Sequence, residues 1–159
     1  MYKITIVCTA NICRSPMGEA ILWNLVKQNH MEDKIEVLSA GLLGIEGERA
    51  SDLAVTVAHE HGLNLEDHRS KGITPQMIKM SNVVLCMTPE HKTELQSDFP
   101  SYRDKIYTLK EYLSKGEVIQ KYIDDPIGLS LNFYRRVFNE IKIELERIFP
   151  EIIKMIRKN

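Results

Sequence analysis

Four short apolar segments are distributed along the chain, and longer segments with helical periodicity separate them. The apolar segments cover residues 3–8, 35–38, 82–87 and 105–109, and polar or turn-forming residues bound each of them. Short apolar runs with such boundaries are typical of buried β-strands. The chain is therefore predicted to contain four strands.

A predicted helix follows each strand. In the first helix, Ser15 and Pro16 resemble an N-cap followed by proline at the first helical position, and apolar residues three or four apart continue to about Asn29. The other helices are predicted from Ser51 to near Gly62, from Thr88 to Gln96, and over residues 134–152, where Pro150 is expected to kink or restart the helix.

The order of these elements, βαβαβαβα, determines the predicted fold class. Strands that alternate with helices favour an α/β fold, here a four-stranded parallel sheet with helices on both faces and ligands at the carboxyl ends of the strands. Gly41, Gly44 and Gly47 indicate a flexible loop after the second strand, which is a candidate wall for a site. Because the sequence has 159 residues and no linker or repeat, we expect one domain, residues 1–159.

Composition and charge restrict the possible partners. The chain is 43% hydrophobic and carries 21 Lys and Arg against 22 Asp and Glu, so no excess charge favours nucleic acid or an anionic membrane. No apolar run approaches the roughly 20 residues that a membrane-spanning helix needs. The three cysteines, Cys8, Cys13 and Cys86, do not resemble a secreted disulfide framework, so we expect a reducing, cytoplasmic location.

The loop between the first strand and the first helix has the features of a phosphate-binding site. Five residues separate Cys8 from Arg14 at the point where a helix begins. Backbone N–H groups at a helix N-terminus can point together at an anion, and the planar guanidinium of arginine can bind two phosphate oxygens. The predicted phosphate-binding residues are Thr9, Ala10, Asn11, Ile12, Cys13, Arg14 and Ser15.

The same positive potential favours thiolate over thiol at Cys8, which makes this residue a candidate nucleophile. The loop lacks the glycines and the lysine of the G-x-x-x-x-G-K-[ST] nucleotide loop, so we do not expect it to bind a nucleoside triphosphate. The alternative interpretation is that Cys8 is a small core residue at the end of a buried strand. The position of the loop, between a strand and a Ser-Pro helix start, favours the catalytic interpretation.

The sequence resembles the low-molecular-weight protein tyrosine phosphatase family, whose members carry C-x-G-N-x-C-R-S-P near the N-terminus. The resemblance covers nearly the whole chain, because four further segments recur in family order: S-A-G at 39–41, D-H-R-S at 67–70, V-L-C-M at 84–87 and D-P-x-G at 125–128. It implies a phosphocysteine mechanism that needs no metal or other cofactor, with a phosphorylated protein as substrate.

The resemblance also implies the catalytic roles. Cys8 would be the nucleophile, Arg14 the phosphate clamp and Ser15 a donor to the thiolate. Asp125 would be the general acid, since a phosphate ester needs its leaving oxygen protonated and a carboxylic acid is a competent donor. Without the resemblance, Asp125 reads as a turn aspartate before proline, and its neighbour Asp124 is the residue with which it could be confused.

A polar network that supports the loop is implied in the same way. Asn11, Ser39 and His68 would hold the loop in shape, and we expect no role for the other four histidines. Cys13 is either a plain buried residue or, as the resemblance suggests, the partner of Cys8 in a reversible disulfide.

The chain departs from the family pattern at three positions. Ala10 replaces the usual glycine, which is costly if that position needs a left-handed backbone, and Gly18 replaces the usual alanine in the first helical turn. Ile127 follows Pro126 where the family generally has an aromatic residue. The first departure affects the loop, the second the helix, and the third the wall that contacts the substrate.

Ile12 bears on the choice of substrate. Family members that hydrolyse phosphoarginine resemble this chain over residues 102–105 and 108–112 but carry threonine at the position of Ile12. A hydroxyl can hydrogen-bond a guanidinium, whereas isoleucine offers apolar contact suited to a phenyl ring. We therefore expect phosphotyrosine as the substrate, with phosphoarginine as the alternative.

Two other function classes are disfavoured. Arsenate reductases of similar fold need a downstream cysteine pair, but only Cys86 follows the loop, and its apolar strand predicts a buried packing residue. A phosphate-binding module without turnover would have no use for the acid Asp125.

Overall fold

The structure, a computed structural model that describes residues 1–159, contains four parallel strands in one sheet. The strands are β1 (Tyr2–Cys8), β2 (Ile35–Gly41), β3 (Val83–Cys86) and β4 (Ile106–Thr108), in the spatial order β2-β1-β3-β4. β1 pairs with both β2 and β3, so it is a central strand, and its carboxyl end lies between the carboxyl ends of its two neighbours. The predicted α/β class and the four-stranded parallel sheet are confirmed.

Helices cover both faces of this sheet, as predicted. They are α1 (Arg14–Gln28), α2 (Asp52–Glu60), α3 (Pro75–Met80), α4 (Pro89–Asp98) and α5 (Leu131–Lys158), with a short 3-10 helix at Pro100–Lys105. The larger apolar cluster joins α1, α2 and α5 to one face, where Ile4 and Ile6 of β1 point. The smaller cluster joins Ile78 of α3 and Leu95 of α4 to the opposite face, where Val7 of β1 points.

The second strand is longer than the sequence predicts. Instead of ending at Leu38, β2 continues to Gly41, which pairs with Cys8 of β1. Gly41 therefore belongs to the strand and not to a flexible loop. Gly44 and Gly47 do lie beyond the strand, with φ angles of 64° and 81°. Pairing with β1 explains the extension, because each added residue contributes to the ladder of hydrogen bonds.

The first helix begins at Arg14, one residue before the predicted cap. Cys13 occupies the N-cap position, and its side chain makes no capping hydrogen bond. The prediction that Ser15 caps α1 is wrong because the Ser15 hydroxyl bonds groups of the preceding loop instead. The side chains of Ser51 and Thr88 cap α2 and α4, as predicted.

The helix α3 was not predicted. Thr74 caps it and Pro75 opens it, which is the same sequence signal that predicted α4. The helix has only six residues, too few for a periodic apolar pattern, and Ile78 is its single buried side chain. The additional helix leaves the order of the strands unchanged.

The last helix, α5, runs from residue 131 to residue 158 without interruption, so it does not restart at Pro150, and the alternative, a kink there, stays a prediction. Proline cannot donate to the carbonyl four residues earlier, which belongs to Glu146. Pro150 is exposed, which lets water bind that carbonyl, while Phe149 and Ile152 stay buried and keep the helix on the core. No helix of the chain combines the length and the apolar character needed to cross a membrane.

Candidate active site

The carboxyl end of β1 leads directly into the predicted phosphate loop, residues 8–15. None of the backbone N–H groups of residues 9–15 donates a hydrogen bond to another group of the chain, so they remain available to an anion. The loop borders a pocket of about 220 Å³. The pocket is lined by Cys8, Thr9, Ala10, Ile12, Cys13, Arg14, Leu43, Asp125 and Ile127.

The tight loop places one of its residues, Asn11, in the left-handed backbone conformation. Its φ angle is 60°, in the left-handed region that asparagine tolerates better than most residues. Ala10, which replaces the family's glycine, does not have a positive φ, so its Cβ causes no backbone strain. The departure from the family pattern at this position therefore leaves the loop conformation intact.

The side chain of Asn11 holds the loop together. Its Nδ2 donates to Ser15 Oγ at 2.8 Å and to Ser39 Oγ at 3.0 Å, and its Oδ1 accepts from the N–H of Lys71 at 3.1 Å. The carbonyl of Asn11 accepts from Nε2 of His68 at 2.7 Å. The structure thus brings together the predicted supporting residues Asn11, Ser15, Ser39 and His68.

His68 bonds the loop in its neutral form. Burial, more than any neighbouring charge, lowers the pKa of His68 below its ordinary value. Because a carbonyl can only accept, the proton of the neutral ring lies on Nε2, the nitrogen that faces Asn11. The histidine acts as a hydrogen-bond donor to the backbone of the loop.

Cys8 lies at the bottom of the pocket, and only 3% of it is exposed. Its Sγ is 2.9 Å from Ser15 Oγ. Because Asn11 already donates to that oxygen, the hydroxyl proton of Ser15 is free to point at the sulfur. A donor in this position stabilises a thiolate more than a thiol.

Arg14 is almost fully buried, and protein groups fix both ends of its guanidinium. Nη1 donates to the carbonyl of Ile123 at 2.8 Å, and Nη2 donates to Thr9 Oγ1 at 3.2 Å. Nη2 is also 3.5 Å from Oδ2 of Asp125. The cation is therefore held in place at the wall of the pocket before any anion binds.

The two neighbouring aspartates occupy different environments. Asp125 lines the pocket, 42% of its side chain is exposed, and its Oδ1 accepts from the N–H of Ile127 at 3.1 Å. Asp124 points away and pairs with Arg136 on α5 at 3.2 Å. Only Asp125 is placed to reach a group bound between the loop and the pocket mouth.

The other two cysteines are buried thiols. Cys13 Sγ lies 3.4 Å from both Ser51 Oγ and Tyr134 Oη, and burial raises its pKa. Cys86 is completely buried in β3, and burial raises its pKa strongly. The predicted packing role of Cys86 is confirmed, and it cannot act as the downstream thiol of an arsenate reductase relay.

Glycine is required where β2 passes beneath the loop. A Cβ on Gly41 would lie 2.8 Å from the carbonyl carbon of Ala10 and 2.9 Å from both the nitrogen of Asn11 and the oxygen of Thr9. Gly18 in α1 allows a similar close approach, since its Cβ would meet two carbons of Ile6 at 3.3 Å. The small residue at position 18 thus brings α1 close to the sheet.

Sequence reasoning missed several contacts of the site. Glu19 accepts a hydrogen bond from Ser39 Oγ, and its spacing of four from Ser15 was an available signal because such residues share a helix face. Leu43 at the pocket mouth and the carbonyl of Ile123 carry no distinctive signal. His91, for which no role was expected, has its Nε2 2.9 Å from Thr9 Oγ1 of the loop.

Comparison with known proteins reveals similar chains along the full length. Residues 3–159 match the model of a family described as low molecular weight phosphotyrosine protein phosphatase. The chain is 34% identical to the protein-arginine-phosphatase of Bacillus subtilis over 158 residues, which cover 98% of this chain and 97% of that protein. It is 32% identical to the low molecular weight protein-tyrosine-phosphatase Etp of Escherichia coli K12 over 156 residues, covering 98% and 95%.

A solved structure of YwlE arginine phosphatase is also similar. In that structure a serine replaces the active-site cysteine and is phosphorylated. The two chains share a TM-score of 0.88 and 32% sequence identity, and the alignment covers 96% of each.

Proposed function

This chain belongs to the low molecular weight phosphotyrosine protein phosphatase family, and from that premise we propose that it hydrolyses phosphotyrosine in proteins with Cys8, Arg14 and Asp125 as its catalytic residues. It is a cysteine-dependent phosphoric monoester hydrolase, as members of this family are. One observation carries the assignment of residues: these three side chains line a single pocket whose loop offers unbonded N–H groups.

The first chemical step transfers the phosphoryl group to the enzyme. The Cys8 thiolate attacks phosphorus in line with the ester oxygen, so an S–P bond forms as the P–O bond breaks. Asp125 gives its proton to the departing phenolate oxygen. Arg14 and the N–H groups of the loop bind the equatorial oxygens, where charge must be stabilised in the transition state.

The second step regenerates the enzyme. The Asp125 carboxylate accepts a proton from water, whose oxygen attacks phosphorus, and the S–P bond breaks to release inorganic phosphate. The electron pair of that bond returns to Cys8 as the thiolate, which the Ser15 hydroxyl stabilises from 2.9 Å. The phosphorylated serine in the similar YwlE structure supports a covalent phosphoenzyme at this position.

The mouth of the pocket supports an aryl substrate. Ile12, Leu43 and Ile127 contribute apolar side chains to its lining. Such a rim contacts a phenyl ring well, but it offers no hydrogen bond to a guanidinium. Phosphoarginine is the second candidate because the chain is similar to protein-arginine-phosphatases over its whole length.

A cytoplasmic location is part of this proposal. All three cysteines are free, which suits a reducing compartment and a reaction that depends on a free thiolate. The near balance of 21 basic and 22 acidic residues supports a protein substrate in preference to nucleic acid or a membrane surface.

The experiment that tests the proposal compares kcat/KM for phosphotyrosine and phosphoarginine in the same peptide sequence, for the wild-type protein and Cys8→Ser. We expect the wild type to prefer phosphotyrosine. We expect Cys8→Ser to lose at least about a thousandfold in turnover while it still binds inorganic phosphate, because a hydroxyl is far less acidic than a thiol. A wild type that prefers phosphoarginine would overturn the tyrosine assignment, and an active Cys8→Ser variant would overturn the covalent mechanism.

A further inference from the structure

A buried histidine outside the phosphate loop contacts the loop beside its arginine. His91 lies in the first turn of α4, only 7% of it is exposed, and its backbone N–H donates to the capping hydroxyl of Thr88 at 3.1 Å. Its Nε2 is 2.9 Å from Thr9 Oγ1. The cap thus fixes the backbone from which the imidazole reaches the loop.

The hydroxyl of Thr9 stands between His91 and Arg14. Arg14 Nη2 donates to this oxygen at 3.2 Å, since a guanidinium carries donors and no acceptor. The single hydroxyl proton is therefore directed away from Arg14, and Nε2 of His91 is the acceptor within reach. This direction of bonding requires a neutral imidazole with its proton on Nδ1.

The surroundings of His91 favour that neutral form. Burial, followed by the positive charge of Arg14, lowers the pKa of His91 to about 4, against the opposing influence of Glu90 and Asp125. Its Nδ1 is buried and has no hydrogen-bond partner, so nothing on that side stabilises a charged ring. The only hydrogen bond of the ring is the one to Thr9.

We propose that neutral His91 is a positioning residue for Arg14. By accepting a hydrogen bond from the Thr9 hydroxyl, His91 orients the lone pairs of that oxygen toward Nη2 of Arg14. The carbonyl of Ile123 accepts from Nη1. The guanidinium then presents its fork to phosphate in one orientation, and less side-chain freedom is lost on binding. This inference rests on the proposed role of Arg14 as phosphate clamp.

Two variants of His91 test this relay, the chain of hydrogen bonds that links His91 through Thr9 to Arg14. In His91→Gln, the amide oxygen can accept from Thr9, whereas His91→Met fills similar space without an acceptor. We expect His91→Met to lower kcat/KM about tenfold and to weaken inorganic phosphate binding, measured by calorimetry, by a similar factor. His91→Gln should stay within about threefold of wild type in both. Equal losses in the two variants, or none in His91→Met, would refute the relay.

A double-mutant cycle separates the relay from general loss of packing. Thr9→Val removes the hydroxyl that links the two side chains and does not alter the core of α4. If His91 acts through Thr9, then His91→Met combined with Thr9→Val should be no worse than Thr9→Val alone. If the loss in the double variant equals the product of the losses in the two single variants, then His91 acts by another route. Phosphate binding is measured without turnover, so this result is distinguishable from failure of the proposed enzymatic function.

The pH dependence supplies a readout that a packing role would not change. Once protonated, His91 donates to Thr9 instead of accepting from it, and it places a second cation near Arg14. Glutamine at position 91 does not titrate, so the ratio of the two proteins isolates the protonation of His91 from pH effects that both proteins share. Because the pKa of His91 is lowered to about 4, half of its rings are protonated at pH 4, and the ratio of kcat/KM for His91→Gln over wild type should rise about twofold as the pH falls from 6 to 4. A constant ratio would refute the proposal.

Discussion

Asp124 and Asp125 are neighbours in sequence, yet only one of them faces the pocket. Asp125 has an oxygen 3.5 Å from Arg14, whereas Asp124 pairs with Arg136 on the outer surface. We predict that Asp125→Asn slows hydrolysis of a phosphate ester with a poor, alkyl-like leaving group by about two to four orders of magnitude. Hydrolysis of an activated aryl ester should be affected much less. Steady-state kinetics with a series of esters of increasing leaving-group acidity measures this difference.

The matched control is Asp124→Asn, which removes the neighbouring carboxylate and one exposed ion pair. An exposed pair contributes at most about 1 kcal/mol, so this variant should keep its activity and most of its stability. If Asp124→Asn instead shows the leaving-group dependence, the general acid is misassigned.

Ile12 is the second residue whose side chain carries a prediction. It lies in the loop, lines the pocket and is partly buried, so a change there alters the surface that meets the leaving group. We predict that Ile12→Thr shifts the ratio of kcat/KM values toward phosphoarginine by about tenfold to a hundredfold, because a hydroxyl can bond the guanidinium that isoleucine leaves unpaired.

Ile127→Thr is the control for this shift, since Ile127 lines the same pocket but half of it is exposed to solvent. Water can already bond a guanidinium at an exposed rim, so this variant should change the ratio much less. The interpretation of Ile12 is wrong if both variants change the ratio equally or if Ile12→Thr does not change it.

At the residue scale, the contacts within the loop were predictable through the family resemblance. It implied that Ser15 contacts Cys8 and that Asn11 supports the loop, and the structure places these side chains within hydrogen-bond distance. Contacts across long sequence separations could not be predicted in this way. The bond between Thr9 and His91 spans 82 residues, and the start of α4 gives no indication that its third residue reaches the loop.

At the scale of elements, the end of β2 forms the floor of the phosphate loop. Gly41 pairs with Cys8, and a Cβ there would lie within 2.9 Å of three backbone atoms of the loop. We predict that Gly41→Ala lowers kcat/KM at least about tenfold and destabilises the fold by about 1 to 3 kcal/mol, because backbone atoms cannot rotate away as a side chain can. Kinetics and chemical denaturation measure the two effects.

Gly116→Ala is the matched control. A Cβ at Gly116 has no neighbour within 4 Å, and its φ is not positive, so that substitution should leave both activity and stability close to wild type. Full activity in Gly41→Ala would show that the loop can move away from β2 without loss of its phosphate-binding geometry.

Elements were predictable in proportion to the length of their pattern. α5 follows a long apolar stripe and was found, although its passage through Pro150 was not, since the sequence does not reveal that Pro150 is exposed. The six-residue helix α3 has a cap and a proline but no periodic apolar stripe, so its sequence did not predict a helix. The extension of β2 depends on pairing with β1, which only the folded sheet supplies.

At the scale of the whole molecule, the two histidines that contact the loop, His68 and His91, make folding sensitive to acid. The pKa values of His68 and His91 are both lowered in the folded protein, mainly by burial, that of His91 to about 4. In the unfolded chain both should titrate near 6.5. Between these values the unfolded chain binds protons that the folded protein does not. The contribution of the two histidines to the free energy of unfolding is therefore fully present above about pH 6.5 and is lost as the pH decreases toward 4.

We predict that His91→Gln reduces this acid sensitivity. The free energy of unfolding of the wild type should fall between pH 7 and pH 4.5 by about 1 to 3 kcal/mol more than that of His91→Gln, since glutamine takes up no proton in the unfolded state. The carboxylates contribute equally to both proteins and cancel in the comparison. Urea denaturation of the two proteins at several pH values measures the difference. Parallel curves of stability against pH would mean that His91 is protonated as readily in the folded protein as in the unfolded chain, and its neutral role beside Thr9 would then be lost.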